Sequence, residues 1–469
     1  MNLQTRRFQS GTASLLAIFL VFAFVSPAAS SPQGAPEPQR EQLLNGLRVL
    51  LWPRPGDQNV TLKLRIHSGA AFDLAGKAGT MALLGDALFP DPTTREFFTG
   101  ELGGSLEVVT DYDGINVTMS GHASEFERIV DLLRAALINP LPQAETVAKL
   151  RDARSKIVRE MGVAPGSIAD RAIAARLFGD HPYGRAFAGD PTSLARIERS
   201  DLLLARDRFL NPDNSTLIVM GGVDAPRAMR ALRQLLGAWR KSDHIVPTTF
   251  RQPDAADTRT MLIELPGAET AEIRLAVRGL ARSDTEYPAT TLLTLLARDR
   301  WQAAAPELGR SAFFVRHDAH VLPGIFMMGA SVHTSAAAST LTAARNVLRT
   351  LASAPPSVAE LERVKNEAVA SLNKRVGDPA QLAEMWLDVE TYKLASLNDQ
   401  ARALSLITPA DVQRTAARLF RDAPLASVVV GNAVGLRADL ERLGQIEISG
   451  ETAVPKAAPG ANAPPAKNP

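Results

Sequence analysis

The spacing of apolar residues predicts both strands and helices in the first half of the chain. Apolar and polar residues alternate with a period of two over residues 60–66, as in a half-buried β-strand. The same alternation returns through Val109, Ile115 and Val117. Asn45-Gly46 lies between apolar residues and indicates a β-hairpin turn. These segments therefore predict an antiparallel component of the fold.

Helical spacing follows in the next hundred residues. One apolar face is formed by Phe126, Ile129, Val130, Leu133 and Leu137. Pro140 and Pro142 end that helix, and residues 143–161 predict a long charged helix. Strands and helices thus occur together, which indicates an α+β protein.

An internal repeat of about 210 residues suggests that this unit is duplicated. The segment from Ser200 to Gly221 resembles the segment from Thr408 to Gly431. We therefore predict two domains, at residues 41–240 and 257–450, joined by a polar connector at residues 241–256. A linker at residues 31–40 precedes them, and an Ala/Pro-rich tail without predicted structure follows at residues 451–469.

The first 30 residues have the composition of a secretory signal peptide. Arg6 and Arg7 precede an apolar run at residues 15–25, and small residues at 26–30 suit cleavage. The apolar run is shorter than the roughly 20 residues that span a bilayer, although an uncleaved anchor is the alternative. We expect export, most simply to a bacterial periplasm, with no membrane association after cleavage.

Composition excludes several kinds of chemistry. The chain of 469 residues has no cysteine, so disulfides, thiolate zinc sites and cysteine nucleophiles are absent. Its formal charge of +2 argues against nucleic acid as a partner.

Three motifs carry a resemblance to a known family. Residues 79–89 read G-T-M-A-L-L-G-D-A-L-F, residues 181–184 read H-P-Y-G, and residues 211–222 lead from N-P-D-N into an apolar strand. In this order they resemble the insulinase/pitrilysin zinc metallopeptidases (the inverzincins), whose signature helix reads approximately G-L-A-H-L-L-E-H-M-L-F. The matching points run from Asn45 to about Gly222. The resemblance implies two tandem processing-peptidase-like domains, each a mixed sheet packed by helices, that form a clamshell around a substrate chamber.

The resemblance also shows which residues the signature lacks. In the family two histidines hold zinc and a glutamate serves as general base. In this chain Ala82 and Asp86 stand at the two histidine places and Gly85 stands at the glutamate place. No histidine occurs between His67 and His122. The family's third ligand is a glutamate, matched by Glu160, which lies 74 residues after Asp86. Asp86 and Glu160 are either a two-carboxylate remnant that suits Mg²⁺ or Ca²⁺ better than zinc, or ordinary surface charges.

The second half lacks the family's other functional pair. An arginine and a tyrosine, seven residues apart, normally bind substrate there, and the matching places are Pro306 and Phe313. Arg298, Arg300 and Arg310 lie nearby, but no tyrosine occurs between Tyr287 and Tyr392.

Peptide binding is a separate expectation from catalysis. In the family, substrate adds as a strand beside the segment after Gly-Gly-Ser. The matching residues are Leu106, Glu107, Val108, Val109 and Thr110. Glu107 replaces a residue that is often asparagine, so it is expected to disfavour acidic peptides. An ordinary sheet strand without a ligand is the alternative.

These observations lead to the hypothesis of a catalytically degenerate family member. We expect a periplasmic subunit or pseudo-peptidase that binds peptides and assists an active insulinase-type partner, with no cofactor of its own. One alternative is an active zinc metalloendopeptidase with an unrecognised ligand set, which would need zinc. Another is an independent peptide-binding scaffold.

Overall fold

A computed structural model describes residues 34–139, 142–242, 250–310, 312–421 and 423–449. The predicted signal peptide, the start of the linker, part of the connector and the predicted tail lie outside these ranges. Among the described residues, none of the helices has the length and apolar character needed to cross a membrane.

The N-terminal half, residues 34–242, contains one six-stranded mixed sheet and eight helices among its described residues. Its strands are β1 Gln39–Gln42, β2 Arg48–Pro53, β3 Asn59–Ile66, β4 Ser105–Thr110, β5 Ile115–His122 and β6 Ser215–Gly221. Its helices are α1 Thr80–Leu88, α2 Thr93–Gly100, α3 Phe126–Ile138, α4 Ala144–Gly162, α5 Pro165–Phe178, α6 Pro191–Leu194, α7 Arg199–Phe209 and α8 Ala225–Leu236.

Local sequence accounts for several of these boundaries. Gly46 adopts φ 93° in the β1–β2 turn, where a Cβ would be strained. Helix α3 ends at Ile138, just before the proline pair. Strand β1 begins at Gln39, inside the stretch interpreted as a linker.

The C-terminal half, residues 250–449, repeats this arrangement. Its strands are β7 Thr260–Glu264, β8 Thr270–Arg278, β9 Phe313–Asp318, β10 Ile325–His333, β11 Ala426–Gly431 and β12 Ile446–Ser449. Its helices are α9 Tyr287–Ala304, α10 Ala337–Ser353, α11 Val358–Gly377, α12 Pro379–Tyr392, α13 Leu397–Leu406, α14 Pro409–Phe420 and α15 Ala433–Leu443.

The two sheets have the same strand order apart from one edge. The order is β1-β2-β6-β3-β5-β4 in the first sheet and β12-β7-β11-β8-β10-β9 in the second. The repeated segments found in the sequence are α7 with β6 and α14 with β11, which occupy equivalent places. The α+β fold class is therefore confirmed.

Each half contributes a helix to the other half's sheet. Helix α5 covers one face of the C-terminal sheet, where Ile173 and Leu177 pack with Val428 and Val430. Helix α12 covers the equivalent face of the N-terminal sheet, where Trp386 packs with Ile218. The described residues from Ala35 onward consequently form a single compact unit.

Equivalent ion pairs secure the two exchanged helices. Arg274 on β8 binds Asp170 on α5, and Lys63 on β3 binds Glu384 on α12. Arg65 is also paired with Glu384. The alternation in strand β3 predicted one exposed face, but Lys63 and Arg65 are each only 8% exposed. Strand β3 is buried on both faces because helix α12 covers its polar face.

The hairpin turns of the two halves meet at Asp113, between β4 and β5. Its carboxylate accepts hydrogen bonds from the hydroxyl groups of Tyr392 and Tyr183, at 3.0 and 3.3 Å. His320, from the turn after β9, lies 3.1 Å from the same carboxylate through Nδ1. Three of the chain's four tyrosines gather here, because Tyr112 packs against Tyr183 and His320.

Candidate functional site

Helix α1 carries the degenerate signature, and a buried carboxylate caps its start. Gly79 adopts φ 95° at the N-cap position. The side chain of Asp73 accepts hydrogen bonds from the backbone N–H groups of Gly79 and Met81, at 2.6 and 2.8 Å. Burial raises the pKa of Asp73 to about 7, although these hydrogen bonds act in the opposite direction.

Arg154, on helix α4, occupies the space beside the two ligand positions of α1. Ala82 and Asp86 lie one turn apart on the same helix face. The guanidinium of Arg154 donates to both carboxylate oxygens of Asp86, at 2.6 and 2.7 Å. It also donates to the backbone carbonyl of Ala82 at 3.3 Å. A side-chain cation of the protein thus bridges α1 and α4 beside the positions that the resemblance assigns to metal ligands.

Glu160 does not take part in this arrangement. Its side chain is 65% exposed, and its ion-pair partner is Lys156 at 3.9 Å. Glu160 follows Arg154 by six residues, which turns the side chain by about 240° around a helix. The described ion pairs thus join Asp86 to Arg154 and Glu160 to Lys156, an arrangement that fits the alternative of ordinary charges.

Gly85, at the general-base position, packs closely against side chains of strand β4. A Cβ atom there would lie 2.9 Å from Thr110 Oγ1 and 3.3 Å from Val108 Cγ1. Glycine in a helix costs about 0.5–1 kcal/mol relative to alanine, and the close packing offsets this cost. A glutamate there would therefore require the side chains of Thr110 and Val108 to shift.

The residues present do not fit a zinc ion. A zinc site requires three protein donors around an open position. Ala82 has no donor side chain, and both oxygens of Asp86 are bound to Arg154. Within the part of the chain that the structure describes, no cluster of three or more His, Cys, Asp or Glu side chains has the geometry to hold a metal.

The predicted peptide-binding strand lies at the edge of its sheet. Strand β4 pairs with β5 on one side only among the described strands. The backbone N–H of Asp111 donates to the carbonyl of Gly114 at the turn, and bonded and non-bonded residue pairs alternate along an antiparallel ladder. Val109 and Glu107 therefore bond to β5. Val108 has its backbone N–H and C=O at the free edge. The backbone is therefore available for an added strand.

The five predicted residues divide between two faces. Leu106, Val108 and Thr110 point toward the helices, with Leu106 and Thr110 buried. Glu107 and Val109 are exposed on the opposite face and line a groove of about 510 Å³.

The remaining walls of this groove are polar. They are formed by Thr61, Lys63, Arg65, Asp111, Asn116, Thr118, Ser120, Met220, Ala380 and Glu384. The lysine and arginine are already paired with carboxylates of α12, so Glu107 and Asp111 leave the groove acidic.

Pro306 is exposed, whereas Phe313 packs against the core of the C-terminal half. Pro306 begins the 3-10 turn after α9, and Phe313 opens β9 with its ring 5.8 Å from that of Trp301 in an edge-on contact. The neighbouring Arg298 and Arg300 are paired with Glu367 and Glu360. Neither arginine is free to bind a substrate carbonyl without first losing its partner.

Two features of the site were missed by the sequence analysis. Arg154 is one of many charges on a helix that has no marked apolar face, so nothing in its spacing singles it out. Asp113 joins segments separated by more than 200 residues, as its bond to His320 shows.

Sequence comparison finds that part of the chain is similar to a peptidase family. Residues 196–368 match the family model described as Peptidase M16 inactive domain. An uncharacterized zinc protease of Mycobacterium tuberculosis is 27% identical over 219 residues, which are 45% of this chain and 49% of that protein. A similar protein of Mycobacterium leprae is 25% identical over 204 residues, or 42% and 46% of the two chains. The chain thus spans about half the length of the curated relatives it matches.

Solved structures extend the similarity to most of the fold. A peptidase M16 inactive domain from Pseudomonas fluorescens superposes with a TM-score of 0.73 at 20% identity, covering 84% of this chain and 98% of that one. A protease from Helicobacter pylori gives 0.77 at 16% identity, covering 85% and 100%. A chain of complex III2 from Candida albicans gives 0.73 at 14% identity, covering 87% and 100%. At these identities the similarity establishes the fold.

Proposed function

For this chain, a homologue of the M16 peptidases, we propose the function of a non-catalytic peptide-binding subunit. It is exported, binds extended peptide at strand β4 and assists an active zinc peptidase of the same family. The observation that carries the proposal is the arginine bridge: Arg154 and Asp86 neutralise each other where catalysis needs a metal ion. Gly85 supplies no general base.

Retention of the β4 edge supports the peptide-binding part of the proposal. The edge is unpaired among the described strands, and its neighbouring groove is open. An extended peptide gains main-chain hydrogen bonds by adding to such an edge, whereas the groove beside it selects side chains.

The decisive experiment mixes this chain with a co-encoded homologue that contains an intact H-x-x-E-H motif. Light scattering measures complex size, and cleavage of an unstructured peptide measures activity. We expect a complex at micromolar concentration and faster cleavage than the homologue shows alone. If no complex forms and the homologue's activity is unchanged, the subunit proposal fails.

A variant of the strand edge separates peptide binding from assembly. Val108→Pro removes a backbone donor that faces outward, so the β4–β5 ladder is kept. We expect slower peptide turnover by the mixture with an unchanged complex size. Val108→Thr, which keeps the backbone donor at the same position and lies outside the groove, is the matched control.

The free edge also favours a second candidate, an independent peptide-binding scaffold. In that case the chain binds peptide without any homologue, and Val108→Pro weakens binding by the isolated protein. Export rests on the N-terminal sequence alone, and mass spectrometry of the exported protein should find a start near residue 30 or 31.

A further inference from the structure

A second cavity, away from strand β4, is lined mostly by residues of the N-terminal half. Its volume of about 530 Å³ falls within the range of small-molecule sites. It is formed where the loop before α1 meets the end of α5, the H-P-Y-G turn, the end of α7 and the chain that enters the C-terminal half. None of its lining residues belongs to the degenerate signature or to the peptide edge.

The walls of the cavity are aromatic. Phe72 packs against Phe209 and Phe250, with ring centroids 5.0 and 5.5 Å apart. His181 lies 5.7 Å from Phe178 and 6.0 Å from Phe250 by the same measure. Together these rings form a surface that suits a flat apolar group.

His181 presents a hydrogen-bond donor to this space. Its Nδ1 accepts a hydrogen bond from the backbone N–H of Tyr183 at 3.2 Å. Burial, followed by the charges of Arg185 and Arg278, lowers the pKa of His181, so the ring is neutral. With Nδ1 acting as acceptor, the proton resides on Nε2, for which the described residues provide no partner.

Two arginines on the cavity wall lack a carboxylate partner among the described residues. Arg208 is half-buried, stands 5.3 Å from the ring of Phe209, and forms no ion pair with any residue that the structure describes. Arg185 donates to the backbone carbonyls of Asp73 and Asp180. A guanidinium without a carboxylate partner in a partly buried wall is well placed to bind a carboxylate.

The acidic residues of the wall do not cancel these donors. Asp73 directs its carboxylate to the first N–H groups of α1, and its raised pKa of about 7 reduces its charge near neutral pH. Asp180 is exposed at the rim, and Asp254 is paired with the exposed Arg251. Arg176 is held by Asp257 and Glu447.

From this combination we propose that the cavity binds a small organic anion, with an aromatic body against the phenylalanine rings and a carboxylate on Arg208 and His181. Such a site is independent of peptide binding at β4. Because a partly buried site strengthens a charge-assisted hydrogen bond, the carboxylate contributes much of the affinity.

Calorimetric titration of the mature protein with 1-naphthoate and with 1-naphthamide tests the proposal. The two probes have the same ring system and differ in charge. We expect the acid to bind and the amide to bind at least about tenfold more weakly, which corresponds to about 1.4 kcal/mol. Equal affinities for acid and amide, or no binding of the acid at millimolar concentration, would overturn the proposal.

Variants locate the binding. Arg208→Gln should weaken 1-naphthoate binding by about tenfold or more, and Arg208→Lys should restore part of it because the charge returns without the planar fork. Arg95→Gln, at an exposed arginine of helix α2, is the matched control and should have no effect. Undiminished binding by Arg208→Gln would place the ligand elsewhere and overturn the assignment. The acid–amide comparison needs no variant, so it stands even if Arg208→Gln fails to fold.

Discussion

The guanidinium of Arg154 binds both carboxylate oxygens of Asp86, with N–O distances of 2.6 and 2.7 Å. The pair joins α4 to α1, and each side chain is only partly exposed, at 20% and 27%. It connects the two helices directly through an ion pair of the protein. Its stabilising effect is local and electrostatic, and it offers no Lewis acid for hydrolysis.

Removal of this bridge should reduce stability by a modest amount. We expect Arg154→Met to lower the free energy of unfolding by about 1–2 kcal/mol, because a bidentate, partly buried ion pair is lost. Urea denaturation measures the change, and a double-mutant cycle with Asp86→Ala isolates the pair. The exposed pair of Arg134 and Asp131 is the control: Arg134→Met should cost less than about 0.5 kcal/mol. An equal cost for the two arginines would contradict a special role for Arg154.

Zinc binding should return only if the third ligand is placed at residue 154. We expect the variant Ala82→His, Asp86→His and Arg154→Glu to bind one zinc ion, since α1 and α4 face each other at these positions. The variant Ala82→His, Gly85→Glu and Asp86→His, which keeps Arg154, should not. In the latter, Arg154 still carries its charge beside the histidines, and the glutamate introduced at position 85 requires side chains of β4 to shift. Metal analysis after dialysis distinguishes the two, and tight zinc binding by the second variant would show that Glu160 reaches the site.

The exchanged helices should make the two halves unfold together. Trp386 on α12 is 1% exposed and packs edge-on against Trp52, with ring centroids 5.0 Å apart. We expect Trp386→Ala to lower the free energy of unfolding by about 3–5 kcal/mol. Both halves should still unfold in one transition, at a lower denaturant concentration. Two transitions, with only one of them shifted, would show that the halves are independent.

A conservative change at the same position provides the control. The indole N–H of Trp386 is buried without a hydrogen-bond partner among the described residues. Trp386→Phe removes this unsatisfied donor and keeps most of the ring, so its cost should be much smaller than that of Trp386→Ala. Val434→Ala, at a residue 93% exposed, should have almost no effect.

The contact between His320 and Asp113 should contribute less to stability as pH rises. Burial alone lowers the pKa of His320, but its hydrogen bond and charge interaction with Asp113, together with Asp111 and Asp318, raise it above the ordinary value. A raised folded-state pKa means that the folded protein binds more protons than the unfolded chain. The resulting stability is fully present below about pH 6.5 and is lost as pH rises through the folded-state pKa.

Comparison with His320→Gln measures this contribution. The difference in unfolding free energy between the two proteins should decrease from pH 6 to pH 8. The raised pKa of Asp73 also makes stability fall as pH rises. This contribution is the same in both proteins and cancels in the difference. His122→Gln, at an exposed histidine, should follow the unmodified protein. A constant difference across this range would show that His320 does not titrate against Asp113.

Local sequence was sufficient for several elements of the first half. The apolar spacing predicted α3, the alternation predicted β3, and the Asn45-Gly46 pair predicted the β1–β2 turn, because each depends on short-range periodicity or on one glycine torsion. The loss of the zinc ligands was also evident from sequence, since Ala82 and Gly85 carry no donor in any fold.

Tertiary structure decided which charges meet. Lys63 and Arg65 alternate with apolar residues and were expected at a solvated face, but α12 arrives from more than 300 residues away to cover and pair them. Glu160 matched a family position, yet the rotation of α4 presents Arg154 to Asp86 instead. A contact between distant segments depends on how helices pack and rotate, and single-sequence periodicity records only which face of each element is apolar.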